Sequence, residues 1–106
     1  MIKQIHPTQA AELLAQTEDV LLVDVREPWE YEYAHIHESI LIPLGELSER
    51  HDELDLTKPI IVYCHHGVRS LSGAAILQQH GAANVASMAG GIDAWSRLID
   101  PKIPKY

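Results

Sequence analysis

The chain has 106 residues, 46% of them hydrophobic and 22% charged, which predicts one small soluble domain (1–106) with chain enough for a single core. Its formal net charge of −7 excludes the basic face that nucleic acid or an anionic membrane would need, so an anionic substrate must be drawn by a local device. The single cysteine excludes an intramolecular disulfide framework and a multi-cysteine zinc site. The start of the chain does not read as a secretory signal, and no apolar run approaches the roughly 20 residues that span a bilayer. A cytoplasmic location is therefore expected.

In chain order, residues 2–5 (IKQI) suggest a short strand. Thr8 is a candidate N-cap for a helix whose apolar stripe (Ala10, Ala11, Leu13, Leu14) runs to about Gln16. VLLVDV (20–25) is a continuous apolar run ending in an acid, a strand buried on both faces. Glu27-Pro28 opens a short helix, proline being suited to its first turn. SILIPL (39–44) is extended and stopped by Pro43, and LGELSERHDEL (44–54) is a surface helix. PIIVY (59–63) is a second buried strand, SLSGAAILQQHG (70–81) a helix with Gly81 placed to end it, NVASM (84–88) a last strand and GGIDAWSRL (90–98) a closing helix. The tail DPKIPKY, with two prolines, reads as an extended surface segment.

Alternating strands and helices define an α/β domain with a mostly parallel central sheet. Three of the strand-like runs end in unusual clusters: Asp24-Val25-Arg26, Cys64, and Gly90-Gly91. Open parallel sheets bind ligands beyond the carboxyl ends of their strands. The three clusters are expected to meet there, with the cysteine in a crevice.

Between strand and helix lies CHHGVRS (64–70). A short glycine-bearing loop can curl until its N–H groups converge with those of the first helical turn, making an anion nest that stabilises a thiolate. Arg69 adds a permanent charge able to pair with two oxygens of an oxyanion, and His65 and His66 add partial positive charge near neutral pH. The plainer reading is a buried, inert thiol at a strand end. Gly67, Arg69 and the following helix favour a nucleophile.

Four blocks, DVREPWEY (24–31), AHIHESILIPL (34–44), CHHGVRS (64–70) and GGIDAW (90–95), occur in the order and spacing of the rhodanese-like sulfurtransferases, and the chain resembles their single-domain form. The resemblance implies a rhodanese-like fold, with a mostly parallel five-stranded sheet flanked by helices on both faces. It implies a Cys64 nucleophile that takes the outer sulfur of a donor such as thiosulfate as a persulfide and passes it to a thiophile, cyanide in the test tube. His65, His66, Gly67, Val68, Arg69 and Ser70 would form the loop around the transferred sulfur. Asp24 and Arg26 would organise a strand end together with Glu30, and Trp95 would lie in the core. No metal and no organic cofactor are implied. The expected partners are a small anionic sulfur donor, a thiophilic acceptor and, as an alternative to thiosulfate turnover, a sulfur-relay protein. In the second block Ala34 and Glu38 stand where the family pattern has glycine, which puts the local turn in question.

The nearest rival is a cysteine phosphatase or arsenate reductase. Such loops place five residues between cysteine and arginine to fit a tetrahedral anion, and HHGV supplies four. A metal pair at His35 and His37 would need both on one strand face. Glu27, Glu30, Glu32 and Glu38 read as a solvated acidic rim.

Overall fold

The computed structural model describes residues 2–106. Five strands form one sheet: β1 (Lys3–Ile5), β2 (Leu21–Asp24), β3 (Ile40–Leu41), β4 (Ile60–Tyr63) and β5 (Val85–Met88). Their order is β1-β5-β4-β2-β3, and every pairing is parallel. Five α-helices connect them: α1 (Pro7–Gln16), α2 (Pro28–Tyr33), α3 (Leu44–Arg50), α4 (Arg69–Gln79) and α5 (Gly91–Leu98). No helix among the described residues is long and apolar enough to cross a membrane.

The continuous apolar runs are explained by the two faces they serve. Along β4, Ile61 and Tyr63 join a core with Ile5, Ala10, Met88 and Trp95, under α1 and α5. Ile60, Val62 and Cys64 join the opposite core with Leu47, Ala74 and Leu77, under α3 and α4. A strand between two helical layers has no wet face, so it carries no polar alternation.

Several local expectations are corrected. His6, not Thr8, caps α1: its ring nitrogen Nδ1 accepts the Thr8 N–H at 3.1 Å, and Gln9 returns the contact to the His6 N–H at 3.0 Å. The strand within 39–44 covers two residues only, although the Ile42 and Leu44 N–H groups still reach the Asp24 and Val25 carbonyls at 2.9 and 3.0 Å. Helix α3 stops at Arg50 and tightens into a 3-10 turn over His51–Glu53. Its Leu47 is fully buried, so α3 is a packed element with one wet side. The tail runs over the surface as expected, with Pro101, Lys102, Pro104 and Lys105 exposed, but it is anchored at two points. Ile103 enters the first core, and Tyr106 folds back over the carboxyl ends of the strands.

Candidate active site

The carboxyl ends of β2, β4 and β5 converge as the sequence predicts. The Val25 N–H reaches the Tyr63 carbonyl at 3.1 Å. A Cβ on Gly91 would strike the carbonyl oxygens of Cys64 and His65, and one on Gly67 would lie 2.9 Å from the Gly90 nitrogen. Gly67 also holds φ +100°, a region L side chains avoid. These glycines let the β4–α4 loop and the start of α5 touch backbone to backbone.

That contact orients the loop. The Ile92 N–H donates to the Cys64 carbonyl at 2.8 Å, and the Asp93 N–H to the His65 carbonyl at 3.1 Å. With these carbonyls tied to the N-terminus of α5, loop N–H groups turn inward. The Gly67 N–H points at the Cys64 sulfur from 3.1 Å, and the Ser70 N–H, in the first turn of α4, from 3.3 Å. The thiol lies 3.5 Å from Ser70 Oγ, which is 2.7 Å from Ser87 Oγ on β5. A hydroxyl can turn over, so Ser70 can accept from the thiol or donate to a thiolate. Cys64 itself is 1% exposed. Two backbone donors, a hydroxyl and the positive end of an eleven-residue helix face one sulfur, an arrangement that favours negative charge on it. Ser87 carried no sequence signal beyond being a small polar residue in a buried strand.

The remaining loop residues divide. Val68 is 74% exposed. His66 is exposed, while His65 is half-buried and stacked between the rings of His66 (3.8 Å) and Tyr106 (3.9 Å). Burial, then the neighbouring charge of His66, holds the His65 ring below the usual histidine range. It therefore stays neutral near pH 7 and does not add the positive charge expected of it.

Arg69 is not free. Its guanidinium forks onto Glu30, with Nη1 to Oε2 at 2.8 Å and Nη2 to Oε1 at 2.9 Å. Glu30 also accepts the Glu27 N–H at 2.9 Å and the Tyr106 hydroxyl at 2.8 Å. The Arg69 hydrogen bonds, against the opposing cost of burial, hold the Glu30 carboxyl down at about 2. Glu30 is thus a buried anchor and not part of a solvated rim. Its bond to Glu27 fixes the first turn of α2.

Asp24 and Arg26 are both fully buried. Arg26 Nε meets Asp24 Oδ1 at 2.9 Å, and Nη2 meets Oδ2 at 2.7 Å. Nη2 also reaches the Ala34 carbonyl at 2.6 Å, and Nη1 the Tyr106 hydroxyl at 2.6 Å. Burial opposes the charge on Arg26, but the Asp24 bonds outweigh it and hold the guanidinium above its usual range. Burial pushes the Tyr106 phenol up to about 12, so it stays protonated and bridges Arg26 to Glu30.

The turn after α2 settles the glycine question. Ala34 has φ −162°, extended backbone open to any residue. Glu38 takes φ +65°, so the left-handed conformation survives without glycine. The Tyr63 hydroxyl holds the turn by accepting the Ile36 N–H at 3.2 Å and meeting Ser39 Oγ at 2.9 Å.

His35 and His37 lie in this turn and not on a strand. His35 stacks on Tyr31, with Nδ1 at 2.9 Å from the Tyr31 carbonyl, and His37 faces solvent beside Glu38. The nearest grouping of metal-capable donors among the described residues is His65, His66 and Asp93, within 4.8 Å of one another. Asp93 is shared with Arg97 at 3.2 Å, and the His65 ring is held in its stack.

A five-stranded parallel sheet carrying a cysteine in an N–H nest at its carboxyl edge defines a class, and comparison with known proteins places the chain within it. The profile of the rhodanese-like domain matches residues 6–98, and the chain belongs to that family. It is 36% identical over 97 residues to a protein of Allochromatium vinosum named a sulfurtransferase, covering 92% of this chain and 91% of that one. It is 37% identical over 95 residues to the thiosulfate sulfurtransferase GlpE of Coxiella burnetii, covering 90% and 88%. The crystal structure of a rhodanese-related protein from Thermoplasma volcanium superposes with a TM-score of 0.81 at 34% identity, covering 90% and 91% of the two chains.

Proposed function

We propose that this chain is a sulfurtransferase that carries a sulfane sulfur as a persulfide on Cys64. The observation that carries the reading is the pair of N–H groups, from Gly67 and Ser70, aimed at a buried sulfur beneath the N-terminus of α4. Relatives named as sulfurtransferases, matched over nine-tenths of this chain, support it.

The thiol first gives its proton to solvent. The thiolate then attacks the outer sulfur of thiosulfate, forming the Cys64 S–S bond while the S–S bond of the donor breaks and sulfite leaves with the electron pair. In the second half-reaction cyanide takes the outer sulfur and leaves as thiocyanate, and the Cys64 thiolate returns. The donors of the loop stabilise negative charge on the sulfur in both halves. Two half-reactions through a covalent intermediate predict ping-pong kinetics. Four residues between Cys64 and Arg69 suit a single sulfur better than a phosphate.

One observation favours a second reading, a relay that receives sulfur from a partner protein. Arg69, the loop's arginine, is already matched by Glu30, so a thiosulfate dianion must compete with a carboxylate for it.

Intact mass of the reduced protein, before and after thiosulfate and again after cyanide, tests both. One added sulfur atom on Cys64, released as thiocyanate and absent in Cys64→Ser, is the expected result. Charging only by a cysteine desulfurase would favour the relay. Charging by neither would overturn the persulfide reading. Arg69→Ala should slow charging by thiosulfate about tenfold more than discharge to cyanide; equal effects would make Arg69 structural.

A further inference from the structure

A wide cleft lies away from Cys64, with no residue of the 64–70 loop in its lining. It has a volume of about 790 Å³ and opens between α1, the chain following α5 and the turn at 36–38. Leu14, Leu22, Ile36, Trp95 and Ile103 make an apolar part of its lining, and polar residues make the rest. This volume lies within the range of sites that enclose a small organic molecule.

Its rim has one sign of charge. Glu18, Glu38 and Asp100 line it from three separate segments, and no lysine or arginine is among the described lining residues. The imidazole of His37, 3.7 Å from Glu38, is the only basic group there. Glu38 is also the only non-glycine residue with positive φ among those described. Glycine would hold that turn without the steric cost of a left-handed side chain. A glutamate there keeps the turn and adds a carboxylate to the cleft, the kind of locally unfavourable choice that marks functional positions.

We propose that this cleft is a second ligand site, taking an amphiphile with an apolar body of about ten carbons and a cationic amine head. The walls supply apolar area to be removed from water. An anionic head would be repelled by the carboxylates of the rim, and a neutral head would gain nothing from them. A cation pairs with them at the rim, where solvent keeps each pairing weak and selectivity comes from the sum. The site is separate from sulfur transfer and stands whether or not the persulfide reading does.

The test is calorimetric titration of the full chain with decyltrimethylammonium, kept below its micelle concentration, and with decyl sulfate of equal chain length. The expected result is saturable one-to-one binding of the cation, with the sulfate at least tenfold weaker. Glu38→Gln, which keeps the backbone conformation and removes the charge, should weaken the cation about threefold. Ala15→Trp, at an exposed position lining the cleft, should weaken binding several-fold by narrowing it. Both variants should keep their far-UV circular dichroism and sulfur-transfer rate. Equal binding of both head groups, no saturation, or indifference to both substitutions would overturn the proposal. Tighter binding of a basic amphipathic peptide to the same residues would overturn it too, reassigning the cleft to a protein partner.

Discussion

Two arginine–carboxylate pairs flank the same short stretch of chain and differ in almost everything else. Asp24–Arg26 lies two residues apart in sequence and has no solvent exposure. Arg69–Glu30 spans 39 residues, and its arginine side chain is 35% exposed. The first pair has every partner it needs inside the protein: carboxylate, the Ala34 carbonyl and the Tyr106 hydroxyl. The second joins α2 to the loop around the sulfur and can be reached from outside. Buried pairs are hard to break because each charge stranded alone cannot be rehydrated. Partly exposed pairs can exchange a partner for water or for an incoming anion at small cost. Burial, not residue type, therefore separates the pair that holds the strand ends from the pair that lies open beside the Cys64 loop.

The sharpest way to break this contrast is Asp24→Asn. It strands the Arg26 charge in a fully buried site and should cost about 3–5 kcal/mol. That is a large part of the stability of a domain this size. Urea unfolding monitored by circular dichroism measures it. A loss below about 1 kcal/mol would mean that the pair is relaxed by water and that the contrast with Arg69–Glu30 is one of position only.

Glu30→Gln should cost less, about 2 kcal/mol, since Arg69 can turn to solvent while the Glu27 and Tyr106 contacts remain partly available. Its clearer signature is in acid. Folding holds Glu30 at about 2, against an ordinary value of 4.5. Between these values the unfolded chain binds a proton that the folded chain refuses. The contribution is therefore complete above about pH 4.5 and is lost as pH falls toward 2. Stability measured against pH should fall more gently across that window in Glu30→Gln than in the parent chain. Parallel curves would show that the carboxylate gains nothing from its partners.

Tyr106→Phe asks how far the two pairs act as one. The phenol touches both, donating to Glu30 and accepting from Arg26, and its ring covers His65. Removing only the oxygen should cost about 1–2 kcal/mol by leaving one Arg26 N–H without a partner. The stack on His65 should persist. If the sulfur half-reactions slow while stability holds, the bridge positions the loop and does not merely close the core.

What was legible in the sequence follows from distance along the chain. The nest around Cys64 is built within seven residues, and runs such as IIVY carry their own burial signal, so both could be read. The convergence of DVR, Cys64 and Gly90-Gly91 followed from the rule that parallel strands present their carboxyl ends together. The partners of Glu30 and Tyr106 could not be read. A glutamate among Glu27, Glu32 and Glu38 looks like a solvated acid until its partner 39 residues away is known. A tyrosine after two prolines looks like a loose end until the fold brings it to Arg26, 80 residues distant. His65 was misjudged for the same reason: the rings that bury it come partly from that tail.

The smallest effect concerns Glu38, one of the two residues that stand where the family pattern has glycine. Glu38 sits in the left-handed region, where a side chain costs about 1–2 kcal/mol relative to the right-handed form. Glycine removes that cost but loses more entropy on folding, by roughly 0.5–1 kcal/mol. Glu38→Gly should therefore stabilise the protein by about 0.5 kcal/mol, read as a small rise in the urea midpoint at unchanged slope. Its carboxylate is 84% exposed and its nearest ionic partner, His37, is 92% exposed at 3.7 Å, so little favourable charge is lost. A destabilised Glu38→Gly would mean that the carboxylate already contributes to the fold, and the reason for a glutamate at this turn would be stability. A stabilised one leaves the residue locally unfavourable in the free protein, as expected where a side chain is retained for what it binds.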